Sequence, residues 1–210
     1  MLNKVKAVKT AVLVSGGGTN LQAIMDAGAR GELPHAEIAL VLSGNENAFA
    51  LTRAERAGVP TAVVKTEKGE ARERYGERLL SALRAREIGF LVLAGFLTIL
   101  PENVIRAYER RIINIHPSLI PSFCGKGYYG LRVHEAALAR GVKITGATVH
   151  YVNEIPDGGE IIAQKAVRVL PGDTPETLQR RVMEEAEWIL LPRALEKAAA
   201  ALLRKEGEKT

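Results

Sequence analysis

Five short apolar runs separated by residues at helical spacing constrain the fold more than any other feature of this chain. Thr10–Ser15, Ala36–Leu42, Thr61–Val64, Gly89–Ala94 and Ile112–Ile115 read as strands. Phe90-Leu91-Val92-Leu93-Ala94 shows no polar alternation, and a strand dispenses with alternation when helices cover both of its faces. Asn20–Ala29 and Ala48–Ala57 read as crossover helices, and Tyr75, Leu79, Leu80 and Leu83 predict a third with one side against the sheet. Strands alternating with helices in this way build βαβ units around a parallel sheet.

After Asn114 the pattern changes. Pro117, Pro121, Gly125, Gly127 and Gly130 punctuate a stretch with little periodicity before a short helix expected near His134. A long irregular segment inside a folded domain is usually functional. Ile144–Val152 and Ile161–Val169 read as two more strands, and the short connection 153–160 permits them to pair antiparallel. Asp173-Thr174-Pro175-Glu176 then supplies a cap, an early proline and a first-turn acid, and Leu178, Val182, Ala186, Ile189 and Leu190 form an apolar stripe behind it. Pro192 is expected to kink or divide this helix, Leu195, Ala198, Ala199 and Leu202 to continue its face, and Arg204–Thr210 to fray. The expected fold is α/β: a single open, twisted, mixed sheet of about seven strands, Rossmann-like in its N-terminal half, with helices on both faces.

Composition narrows the function classes. With 47% hydrophobic content, 210 residues bury a core without covalent staples. The single cysteine, Cys124, excludes an intrachain disulfide and a zinc site built from several cysteines, and fits a reducing compartment. No apolar stretch approaches the ~20 residues of a membrane span, and the basic N-terminus lacks the apolar region of a signal peptide. The chain is therefore expected in the cytoplasm, without a membrane partner. The net charge is +5, but Lys and Arg are interspersed with acids, and 5% aromatic residues leave little for base stacking. Nucleic acid is not an expected partner; a positive field that draws small phosphorylated or carboxylated substrates is the better use of the charge.

Three features carry chemistry. Ser15-Gly16-Gly17-Gly18-Thr19-Asn20 joins the first strand to the first helix, where free N–H groups and the positive helix end favour an anion. No lysine follows the glycines and the dinucleotide spacing is absent, so a phosphomonoester held by Gly17, Gly18, Thr19 and Asn20 suits it better than ATP or NAD. The same residues also make a plain connecting turn; the position at a strand's carboxyl end favours phosphate. Asn114-Ile115-His116 ends the fifth strand, and alternation puts Asn114 and His116 on one side. An amide N–H and an imidazolium together can stabilise the oxygen that gains charge when an amine attacks an acyl carbon. A lone histidine is more often a hydrogen-bonded packing residue, and His134 and His150 are read as such. The third feature is Asp157, before Gly158-Gly159; read by itself, it is a turn former.

Taken together, SGGGTNLQAI from Ser15, LAGFLTIL from Leu93, NIHPSLIPSF from Asn114, HEAAL from His134, GATVHYV from Gly146 and DGGEII from Asp157 resemble the phosphoribosylglycinamide formyltransferase family. The resemblance runs from Val12 to about Leu195. It implies the formyltransferase fold as one domain over 1–210, with a phosphate-binding half at about 1–110 and a folate-binding and catalytic half at about 111–210. It also implies 10-formyltetrahydrofolate as co-substrate, glycinamide ribonucleotide as acceptor, no metal, and a monomer or homodimer. Asn114, His116 and Asp157 would be catalytic, with Asp157 holding His116 and relaying protons through water. Glu187 would anchor the ribose. Leu93, Phe96, Leu97, Thr98, Ile99, Leu100 and Ile105 would form one side of the folate pocket, and Asn114, Asn153, Glu154, Ile155 and Asp157 the other. Thr98 stands where members commonly carry arginine, and Trp188 where a histidine often follows the ribose-binding glutamate. The loop Cys124–Gly130 is expected to border the site. The alternative reading is a formyltetrahydrofolate hydrolase, which uses the same three residues with water as acceptor.

Overall fold

The computed structural model describes residues 6–208. Its strands are β1 (Val8–Val14), β2 (Ala36–Ser43), β3 (Thr61–Val63), β4 (Phe90–Leu93), β5 (Ile112–His116), β6 (Ile144–Tyr151) and β7 (Ile161–Arg168). They form one sheet in the order β3-β2-β1-β4-β5-β6-β7. The first five strands are mutually parallel, and β6 and β7 run antiparallel to their neighbours. The helices are α1 (Thr19–Ala29), α2 (Phe49–Arg56), α3 (Arg72–Arg84), α4 (Glu102–Ala107), α5 (Leu131–Arg140), α6 (Pro175–Val182) and α7 (Trp188–Gly207), with a π turn at Met183–Glu187 between the last two.

Apolar residues on both sides of the strands feed two cores. Val12, Val14, Phe90, Val92, Ile113 and Ile115 face one layer, with α1, α2, α6 and α7 packed on it. Ala11, Leu13, Leu91, Leu93 and Ile112 face the other, under Tyr75, Leu79 and Leu83 of α3 and Val104 of α4. This double coverage explains why β1 and β4 carry no polar alternation. Among the described residues no helix is long and apolar enough to cross a membrane.

The C-terminal helices depart from expectation. The interruption lies at the π turn and not at Pro192, which sits inside α7. The bond the proline forgoes would run to the carbonyl of Trp188, the first residue of α7, beside a turn where the ladder has already changed step. The π turn also shifts the buried stripe by one residue. It runs through Leu178, Val182 and Ala186 and continues at Leu191, leaving Ile189 and Leu190 half-buried. Nor is the end frayed from Arg204 onward. Alpha-helix continues to Gly207, Arg204 and Lys205 in its last turn match the negative end of the helix dipole, and Lys6 pairs with Glu206 at 3.3 Å. Lys209 and Thr210 of that expected frayed end, and residues 1–5 of the expected domain, lie outside the described residues.

Candidate active site

The carboxyl ends of β1, β4 and β5 deliver the chain's chemically useful residues to one edge of the sheet. In an open α/β sheet ligands bind there, where strand order reverses about β1. Ser15, just past β1, accepts the Leu97 N–H on its Oγ at 2.9 Å, and so ties the glycine turn to the segment after β4.

Beta pairing assembles the polar centre. Asn114 of β5 lies directly opposite His150 of β6, and His116 opposite Thr148. The Nδ1 of His150 is 2.8 Å from the Tyr151 carbonyl, which only accepts, so Nδ1 carries the proton and donates. In the neutral ring Nε2 then accepts from the Asn114 Nδ2, 3.1 Å away, and in the protonated ring it donates towards Asp157 Oδ1, 3.5 Å away. The second N–H of that amide has only a 3.5 Å contact with Asp157 Oδ1. That contact is long enough to be exchanged for a ligand oxygen. His116, nearly fully buried, donates from Nε2 to the Phe123 carbonyl at 2.8 Å, leaving Nδ1 to face Asp157 Oδ2 at 3.6 Å.

Asp157 is thus the point on which these groups converge. Its backbone is left-handed, at φ 55°, a conformation that Asp and Asn tolerate better than most residues with a side chain. Oδ2 accepts the Gly125 N–H at 2.8 Å, so the 117–130 segment closes directly on the carboxylate. Burial works to raise this carboxyl. The His150 hydrogen bond, the charge of His116 and the Gly125 N–H outweigh it, and Asp157 stays below the usual carboxylate range.

Beside this centre is a cavity of about 530 Å³. Leu93, the Phe96–Leu100 stretch, Ile105, Asn114 and the Asn153–Asp157 loop line it. Leu97, Ile99 and Ile155 leave large apolar surfaces open at its mouth, a wall suited to a flat ring, while the loop offers polar edges. His150, expected as a packing residue, instead lines the cavity beside Asn114 and Asp157, and Arg72, absent from the expected set, lines it too. Pairing register is the signal that finds His150, since it becomes visible once β6 is laid antiparallel against β5.

At the glycine turn the side chains expected to grip an anion face inward. Thr19 Oγ1 points to the Met183 sulfur at 3.7 Å, and Asn20 Nδ2 donates to Glu187 Oε2 at 2.6 Å. Burial pushes the Glu187 carboxyl up, and the Asn20 bond offsets part of this. Backbone N–H groups are therefore the donors this turn presents. His134 is fully buried with neither ring nitrogen bonded to protein, and burial, with the neighbouring His116 charge, pushes it down to about 4. It is buried as a packing residue, but not the hydrogen-bonded one expected.

Residues 8–195 match the profile of the family described as formyl transferase. The chain belongs to that family. Among members, it is 41% identical to the chloroplastic phosphoribosylglycinamide formyltransferase of Vigna unguiculata over 181 residues, 86% of this chain and 58% of that protein. It therefore spans just over half the length of that curated relative. The solved glycinamide ribonucleotide transformylase 1 of Symbiobacterium toebii superposes with a TM-score of 0.86 at 39% identity, covering 93% of this formyltransferase-family chain and 89% of that one. A formyltetrahydrofolate deformylase from Pseudomonas syringae pv. tomato gives a TM-score of 0.83 at 28% identity, over 94% of this chain and 63% of that one.

Proposed function

We propose that this chain transfers the formyl group of 10-formyltetrahydrofolate to the amine of glycinamide ribonucleotide, giving formylglycinamide ribonucleotide and tetrahydrofolate. The observation that carries the reading is the convergence of Asn114, His116 and His150 on the Asp157 carboxylate at the end of an apolar cavity. Relatives named for this reaction support the substrates.

In this reading Asn114 gives the N–H now spent on the long Asp157 contact to the formyl oxygen, which gains charge as the amine adds. His150 holds the other N–H and fixes the amide's direction. His116 handles protons at Nδ1, since Nε2 is committed to Phe123. Asp157, ionised, orients both imidazoles and accepts a proton relayed from the amine through water. Leu97, Ile99, Ile105 and Ile155 receive the folate ring. Backbone N–H groups of Gly17–Asn20 take the acceptor's phosphate, and Glu187 takes its ribose hydroxyls once Asn20 releases it. The two halves, about 1–110 and 111–210, act as one domain. The single cysteine supports a cytoplasmic setting, and the active unit is a monomer or homodimer.

The test is to incubate the protein with 10-formyltetrahydrofolate, with and without glycinamide ribonucleotide, and follow tetrahydrofolate release. Release that requires the acceptor is expected. Equal release without it would replace transfer by hydrolysis, the activity for which the Pseudomonas syringae neighbour is named.

A further inference from the structure

Helix α2 reaches the glycine turn from outside the strand–turn–helix unit that contains it. The Ala50 N–H donates to the Gly16 carbonyl at 3.0 Å, and Arg53 Nε donates to the Gly17 carbonyl at 2.8 Å. The Gly18 carbonyl accepts the Gln22 N–H at 2.9 Å, inside α1. In a trans peptide the C=O and the following N–H point in opposite directions. Anchoring the carbonyls of Gly16, Gly17 and Gly18 therefore turns the N–H groups that follow them, those of Gly17, Gly18 and Thr19, away from the braces. Successive N–H groups held in this way form an anion-binding concavity.

The brace is close-fitting. Gly18 has φ +74°, and a Cβ there would meet Ala50 Cβ at 2.6 Å and Ala50 Cα at 2.8 Å, so the turn lies on the α2 backbone itself. Arg53 is held on three sides. Besides Gly17, it donates from Nη1 to Gln22 Oε1 at 3.2 Å, and its guanidinium lies over the Phe49 ring at 5.1 Å. Among the described residues no carboxylate pairs with it, so its charge beside the turn is uncompensated.

We propose that Arg53 is the positioning residue of the phosphate turn: its Nε–H fixes the Gly17 carbonyl so that the Gly18 N–H faces the acceptor's phosphate, and its unpaired charge draws that anion in. The proposal rests on the reading of Gly17–Asn20 as the acceptor's phosphate site. Arg53 acts through the backbone, and the folate cavity does not include it. The effect should therefore fall on one substrate only.

Steady-state kinetics on the whole chain test this, with Arg53→Met, Arg53→Lys and, as control, Arg56→Met, which removes the other arginine over Phe49. Inorganic phosphate serves as competitor against the acceptor. Arg53→Met should raise KM for glycinamide ribonucleotide and weaken inhibition by phosphate about tenfold to a hundredfold, the range for loss of one charge-assisted hydrogen bond. Its kcat and KM for the formyl donor should stay within about twofold of the parent, on the principle that uniform binding affects KM alone. Arg53→Lys, which keeps the charge without the Nε–H, should recover part of the loss, and Arg56→Met should match the parent. An unchanged acceptor KM in Arg53→Met overturns the proposal, as does an equal rise in KM for both substrates or a lowered unfolding temperature that accounts for the loss. Phosphate failing to compete in the unsubstituted protein would instead refute the phosphate site itself.

Discussion

At the scale of single residues, Asp157 concentrates most of the site's meaning. Its carboxylate touches two imidazoles, an asparagine amide and a backbone N–H, and it keeps its charge although largely buried. Asp157→Asn removes that charge while keeping the shape and the tolerance for a left-handed backbone. We expect kcat to fall by about 10²- to 10⁴-fold, the usual contribution of a positioned acid or base, with only a modest fall in the thermal midpoint from losing the contacts that favour the charge. A variant that keeps kcat within about threefold would remove Asp157 from the mechanism. Much of this centre is legible in the sequence, because strand alternation alone puts Asn114 and His116 on one side. His150 is not, since a histidine in an apolar strand looks the same whether it faces a core or a cleft. What distinguishes it is its place opposite Asn114, a relation between strands that periodicity along one strand does not contain.

At the scale of elements, the β6–β7 connection decides where Asp157 stands. The loop is stapled by the Tyr151 N–H to the Glu160 carbonyl at 2.9 Å and by the Ile155 N–H to Asn153 Oδ1 at 3.0 Å. Gly159 lies against the Tyr151 backbone so closely that a Cβ would fall 1.7 Å from its carbonyl oxygen. That oxygen is backbone and must move with its strand, so Gly159→Ala should both spread the connection and carry Asp157 away from His116. We expect a stability loss of about 1–3 kcal/mol in denaturant unfolding, typical of overpacking, together with a larger drop in kcat than in folate affinity. Full activity would mean that the loop's position is not what holds the carboxylate. All seven strands are readable because each is a β-branched or apolar run bounded by turn residues. Helix α4 is not, as six residues with Val104 as their only buried member give no period to detect. The π turn is equally hidden: inserting one residue into a helical turn shifts a stripe without breaking it, and Pro192 is the more visible but less consequential signal.

At the scale of the whole molecule, the sheet changes character where the chemistry lies. The five parallel strands hold the glycine turn, two antiparallel strands carry the Asp157 loop, and β5 is the member that pairs with both sets. His134 lies beneath this junction, on α5, with both nitrogens unbonded to protein and its ring neutral down to about 4. An unfolded chain would protonate the same ring near its ordinary value of about 6.5. Between these limits the unfolded state binds the extra proton, so stability must rise with pH. The contribution is complete above about pH 6.5, declines as the pH falls, and levels off below about pH 4, a total loss on the order of 3 kcal/mol. Asp157 acts lower: its depressed carboxyl holds stability above the ordinary carboxylate value and loses it only as the pH falls through its own. His134→Leu fills a similar volume and sacrifices no protein hydrogen bond, so it should fold. Denaturant unfolding of both proteins from pH 7 to 4 should show the substituted chain gaining steadily on the original across that window. Parallel curves would mean that His134 is protonated in the folded state, and that the buried side of the junction is wetter than its packing indicates.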